Sequence, residues 1–139
     1  MASGAVLVVA LLWAAPVTAP AAPERASWDL VWHDEFDRDG APDPMRWSPE
    51  TGRVRNGEAQ YYTKDRRENA RVEGGHLVLE ARKEAWEGAD YTSASLTTAN
   101  SAAWTYGRVE VRAKIPSGRG LWPAIWMLGD AIRWKGWPA

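Results

Sequence analysis

Tyr106-Gly107-Arg108-Val109-Glu110-Val111-Arg112-Ala113-Lys114-Ile115 alternates one residue at a time, with Val109, Val111, Ala113 and Ile115 set against Arg108, Glu110, Arg112 and Lys114. This is the period of a β-strand, whose successive side chains point to opposite faces, and it predicts one buried face and one wet face. Pro116-Ser117-Gly118 ends the strand. Gly120 opens a new segment, and Leu121 to Leu128 is a nearly continuous apolar run with one proline. Such a run is buried on both sides or lines a cleft. Toward the N-terminus, Tyr91 to Thr98 fits a further strand. Ala70 to Val72 and His76 to Arg82 form a hairpin around Glu73-Gly74-Gly75, where glycine takes the positive φ of a tight turn. Glu58 to Thr63 is another strand. Trp28 to Phe36 is a first strand, followed by Asp39-Gly40 and a Pro42, Pro44 loop that forbids regular pairing. No stretch holds the i, i+3, i+4, i+7 spacing of an amphipathic helix. The expectation is an all-β domain, a sandwich or a barrel by strand spacing.

The two ends read differently from the middle. The first 21 residues carry no charged side chain, and charge begins at Glu24. An apolar run from Ala5 to Ala15, then Pro16, then Ala19 and Ala21 at signal-peptidase spacing predict a secretory signal over 1–21, although its n-region lacks Lys and Arg. A membrane anchor is the weaker reading, because a bilayer span needs about 20 apolar residues. Residues 22–139 are then one domain, secreted and extracellular. A net charge of −1 offers no field to draw the chain to nucleic acid or an anionic membrane. There is no cysteine, which excludes disulfides and thiol chemistry. Tryptophan is the outlier: ten residues, all but Trp13 beyond the signal. Core packing accounts for any single one, but so many also suit a stacking surface, where a flat indole lies against a sugar ring.

Four segments, in order, resemble glycoside hydrolase family 16, the laminarinase-like β-glucanases. Leu30-Val31-Trp32-His33-Asp34-Glu35-Phe36 is similar to the family's W-x-D-E-F strand, and Asn56-Gly57-Glu58-Ala59-Gln60-Tyr61-Tyr62-Thr63 to its N-x-E-x-Q-Y-Y-T. Tyr106 to Lys114 is similar to Y-G-R-x-E-x-R-x-K, and Gly120-Leu121-Trp122-Pro123-Ala124-Ile125-Trp126-Met127-Leu128-Gly129 to G-x-W-P-A-x-W-x-L-G. The resemblance covers 28–139. It implies a β-jelly roll sandwich of the concanavalin A-like kind, incomplete in this chain, whose concave sheet holds a β-glucan polysaccharide. It also implies retaining hydrolysis by two glutamates in an E-x-D-x-E strand. Retention wants two carboxyls about 5 to 5.5 Å apart, and alternate strand positions share a face.

That motif follows a Trp-Pro pair in the family, whereas this sequence reads Gly136-Trp137-Pro138-Ala139 and has no Glu or Asp after Asp130. No catalytic residue is therefore assigned. Asp34 and Glu35 look like a dyad but would point to opposite faces of a strand, so a hydrogen-bonding role fits them better. The substrate-binding residues that the resemblance implies are Trp122, Trp126, Asn56 and Arg108. The i, i+4 spacing of Trp122 and Trp126 puts both on one strand face, as a sugar platform or as core. Asn56 carries an amide for glucose hydroxyls, or simply an Asn-Gly turn with Gly57. Arg108 reaches the cleft or is surface charge, and Arg112 is read as surface charge. Trp134 and Trp137 are unassigned. His33 and His76 lie far apart without a cysteine, which argues against zinc. No cofactor is expected. Family members bind a structural Ca²⁺, in part near Glu35, and the resemblance implies it for a full-length domain, a monomer, rather than for this chain.

Two functions follow. One is a secreted endo-β-glucanase acting on β-1,3 or mixed β-1,3/1,4 glucan, its catalytic glutamates beyond residue 139. The other is a non-catalytic glucan-binding β-sandwich or an inactive remnant. An adhesive β-domain unrelated to sugars ranks last, since it leaves the ordered motifs to coincidence.

Overall fold

The computed structural model describes residues 27–136, and the chain divides between His33 and Asp34. The signal segment 1–21 and Trp137 lie outside the described residues. Residues 27–33 carry no regular element, and Trp28, Leu30 and Val31 are exposed. The strand expected from Trp28 to Phe36 is absent. At its far end Phe36 has φ 58°, a left-handed conformation that an extended strand cannot contain.

From Asp34 onward the regular structure is all-β apart from one helical turn. The strands are β1 (Ser48–Pro49), β2 (Gln60–Tyr62), β3 (Ala70–Val72), β4 (Leu77–Leu79), β5 (Arg82–Trp86), β6 (Ala89–Ser93) and β7 (Leu96–Thr97), followed by α1 (Ile132–Lys135). They pair as β1-β7, β2-β6-β5 and β3-β4. The β3-β4 hairpin is the expected one, with Val72 opposite Leu77 and Ala70 opposite Leu79. Gly74 and Gly75 at φ 58° and 75° make a turn with both central residues left-handed, whose twist matches that of the flanking strands. The β5-β6 hairpin uses the same geometry at Glu87 and Gly88, φ 46° and 74°. It also carries an irregularity between Lys83 and Trp86. The strand expected from Tyr91 to Thr98 is two strands. β6 runs parallel to β2, and after a break β7 runs antiparallel to β1.

The centre is polar. Val72 and Ala89 are the buried apolar residues among those described, while Asn69 and Thr92 are fully enclosed at 0 % exposure. Asn69 meets every one of its hydrogen-bonding obligations. Its backbone N–H donates to Arg66 O at 3.0 Å and its C=O accepts from Glu80 N at 2.8 Å. Its amide Nδ2 donates to Glu80 O at 3.0 Å and to Thr92 Oγ1 at 2.9 Å, and Oδ1 accepts from Thr63 Oγ1 at 2.8 Å and Arg66 Nη1 at 3.0 Å. Arg66 in turn forks onto Glu84, Nη1 to Oε1 at 2.6 Å and Nη2 to Oε2 at 3.1 Å, and lies over the Trp86 ring at 4.7 Å. Thr92 Oγ1 donates to the same carboxylate. One side chain thereby ties the loop before β3 to the end of β4 and to β6.

Two expected strands are not formed. Residues 106–115 and 121–128 carry no ladder, and the predicted buried face is open, with Val109, Val111 and Ile115 at 59 %, 58 % and 62 % exposure. A strand exists only as a member of a ladder, and none of the described strands runs beside these segments. Alternation says which face a neighbour would meet; it does not supply the neighbour. The unanticipated α1 is a single turn, with Arg133 paired to Asp130 at 2.9 Å and Gly136 at φ 73° closing it. Four residues are too few to show a helical period.

Asn69→Ala leaves Glu80 O and the Thr92 and Thr63 hydroxyls short of partners in an enclosed site. It is expected to lower the unfolding free energy by about 2 to 3 kcal/mol, read by urea denaturation. Hydrogen bonds from Arg66 and Thr92 hold the Glu84 carboxyl down from 4.5 to about 2. Because the folded-state value is the lower one, this stabilisation is complete above pH 4.5 and disappears as the pH falls from there toward 2. Glu84→Gln is expected to flatten that acid limb of the stability profile.

Candidate functional site

The segment leading into β2 builds a polar ladder beside aromatic rings. Glu58 N donates to Arg55 O at 3.2 Å, closing a turn whose central residues Asn56 and Gly57 stand at φ 55° and 62°. Asparagine tolerates the left-handed region and glycine needs no tolerance. Beyond the turn the chain extends, and Glu58, Gln60 and Tyr62 fall on one face. Glu58 Oε2 accepts from Gln60 Nε2 at 2.8 Å and from the Tyr62 hydroxyl at 2.9 Å, and Gln60 Nε2 also donates to that hydroxyl at 2.8 Å. Burial, and then the acceptor Glu58, push the Tyr62 phenol above its ordinary value. Backbone bonds between Gly52 and Tyr62, at 2.9 and 3.0 Å, pin the strand from the other side.

Arg55 sits at the crossing. Its guanidinium pairs with Glu50, lies 5.8 Å from the Tyr62 ring centroid and 5.3 Å from that of Trp126. Glu50 is fastened to Ser95, whose hydroxyl donates to its carboxylate and whose carbonyl accepts its N–H at 2.9 Å. Burial alone would raise the Glu50 carboxyl, but hydrogen bonds from Arg55 and Ser95 and the Arg55 charge outweigh it, leaving Glu50 below the usual carboxylate value. The pair is therefore ionised at neutral pH. What results is a face of hydroxyl, amide and guanidinium groups beside an indole, the chemistry that suits a sugar: hydrogen bonds for its hydroxyls and a flat ring for its C–H face.

Of the residues expected here, Trp126 is met by the guanidinium of Arg55, the neighbour of Asn56 in sequence, and Asn56 is exposed. Trp126 is half-exposed and Trp122 is open at 92 %. The strand that was to align these two indoles is not formed. Arg108 is exposed and paired with Glu110 two residues on, away from the Arg55 cluster's hydrogen bonds. Sequence reading missed Arg55, Glu50 and Ser95. The two-residue spacing of Glu58, Gln60 and Tyr62 is the one signal that would have found the ladder.

The carboxylates near the start are structural. Asp34 accepts from the Phe36 N–H at 3.0 Å and from the Trp47 indole at 2.8 Å, and Phe36 stacks on Trp47 at 6.2 Å. Among the described residues no group of three or more His, Asp or Glu is placed to hold a metal ion. A separate pocket of about 100 Å³, lined by Pro42, Pro44, Trp47, Arg66 and Leu96 among others, is small beside the roughly 300 to 1,000 Å³ of ligand sites.

Comparison with known proteins places this geometry. The family profile described as beta-glucan synthesis-associated protein SKN1/KRE6/Sbg1 matches residues 15–139. A beta-glucanase of Rhodothermus marinus is 60 % identical over 105 residues, 74 % of this chain and 37 % of that protein. A glucan endo-1,3-beta-glucosidase of Cryptopygus antarcticus is 42 % identical over 121 residues, 82 % of this chain and 43 % of that protein. The X-ray structure of the laminarinase from Rhodothermus marinus superposes with a TM-score of 0.76 at 56 % identity, over 81 % of this chain and 46 % of that one. The chain thus spans less than half the length of these relatives. Its short all-β ladders are part of a β-jelly roll of their kind. On the profile match, these identities and this superposition, the chain belongs to glycoside hydrolase family 16.

Proposed function

We propose that this chain is the substrate-gripping part of a secreted endo-β-glucanase that cleaves β-1,3 or mixed β-1,3/1,4 glucan with retention, its two catalytic glutamates lying beyond residue 139. The observation that carries the reading is the Arg55 guanidinium, which lies over both the Tyr62 ring and the Trp126 indole next to the Asn56 turn. In this site Trp126 takes the C–H face of a glucose ring, and the Asn56 amide takes hydroxyls. The names of the relatives, a beta-glucanase, an endo-1,3-beta-glucosidase and a laminarinase, support the linkage. The uncharged segment 1–21, with Ala19 and Ala21 at its end, supports secretion. Retention rests on the E-x-D-x-E chemistry of the family, in which alternate carboxyls about 5 to 5.5 Å apart serve as nucleophile and acid/base.

A second reading is a glucan-binding β-domain without catalysis. Sequencing the encoding DNA past codon 139 separates the two. An in-frame E-x-D-x-E soon after Trp137-Pro138 is the expected result, and a Glu→Gln change at its first glutamate should then abolish turnover while glucan binding persists. A stop codon there leaves the binding domain. In either case Trp126→Ala is expected to weaken binding of a β-1,3-linked glucotetraose about tenfold, the scale of one lost aromatic contact, measured by titration calorimetry.

A further inference from the structure

Trp126 lies in a segment that no ladder holds, yet a sugar platform must present one face in one orientation. An indole free to rotate loses that freedom on binding and gives back part of the affinity. We propose that Arg55 is a positioning residue that fixes the plane of Trp126 from behind, leaving its outer face for a sugar ring. The inference rests on the glucan-binding reading above.

The clamp is built in layers. The Arg55 guanidinium is within the roughly 6 Å at which a cation is attracted to an aromatic face, and it meets two rings, Tyr62 at 5.8 Å and Trp126 at 5.3 Å. Its own freedom is spent on Glu50, and both partners are largely covered, with side chains 23 % and 26 % exposed. Glu50 is held twice by Ser95, at side chain and backbone. Tyr62 is held by Glu58 and Gln60. Every group behind Trp126 is thus anchored to β2 or to the break between β6 and β7, while Trp126 itself stays 54 % exposed. Trp122, four residues earlier, is 92 % exposed and shows what an indole of this segment looks like without such a backing. A flat, delocalised, permanently charged fork suits the task, since it can stack and pair at once, which a lysine ammonium cannot.

The test has two readouts on the 139-residue chain. In a ¹⁵N-labelled sample the Trp126 indole N–H resonance is identified by its loss in Trp126→Phe. Arg55→Met is expected to shift or broaden it, Glu50→Gln to do so as well, and Arg55→Lys to do so less. Thermal unfolding of each variant separates this from loss of fold, and if Arg55→Met does not fold, Arg55→Lys and Glu50→Gln carry the comparison. Calorimetric titration with a β-1,3-linked glucotetraose is expected to show Arg55→Met binding about three- to tenfold more weakly, and adding less than about twofold when Trp126 is already Ala. An indole resonance that does not move in a folded variant overturns the inference. So does a loss on Arg55→Met that persists undiminished in the Trp126→Ala background, since Arg55 would then grip the sugar itself. If the unaltered chain binds no glucan while the resonance moves, the clamp stands and the proposed function falls.

Discussion

The enclosed Asn69 amide is the constraint on which the rest of the chain depends. With few apolar side chains covered among the described residues, burial of hydrocarbon cannot set the relative placement of the ladders. Directional bonds do so instead. Asn69 reaches the end of β4 through Glu80, reaches β6 through Thr92, and reaches the preceding loop through Thr63 and Arg66. A polar knot of this kind tolerates no half measures, because each group in it has already given up water. The charged pair of Arg66 and Glu84 closes the knot on its outer side, with Trp86 as a lid over the guanidinium.

The candidate cluster about Arg55 leans on that frame. β6 pairs on one edge with β2, which presents Gln60 and Tyr62, and on the other with β5, which carries Glu84. Just past β6 the chain turns at Ser95 to hold Glu50, and through it Arg55. The same stretch of chain therefore fixes both the structural knot at Thr92 and, three residues later at Ser95, the footing of the candidate site.

How much of this was legible depends on whether the deciding chemistry was local. The β3-β4 hairpin announced itself because Gly74 and Gly75 are the residues that a left-handed turn needs. The β5-β6 hairpin did not, since Glu87 occupies the first left-handed position at φ 46°, where asparagine, aspartate or glycine is the expected sign. The run 106–115 was read as a strand from its alternation, yet pairing is a relation between segments that no single segment encodes. For the site, motif resemblance found Asn56 and Trp126, and the fold sets Arg55 over the Trp126 ring. It paired Trp126 with Trp122 on a strand that is not formed, and it passed over Arg55, Glu50 and Ser95, whose meeting depends on contacts across the chain rather than on spacing within it.

The parallel pairing of β2 with β6 bears on the order in which the chain assembles. Both two-residue hairpins close over neighbouring residues and can form on the microsecond scale. The parallel pair, and the Glu50 to Ser95 link spanning 45 residues, must wait for everything between them to be in place. Contacts of that sequence separation are slow to nucleate. The candidate surface about Arg55 is thus later to acquire its shape than either hairpin.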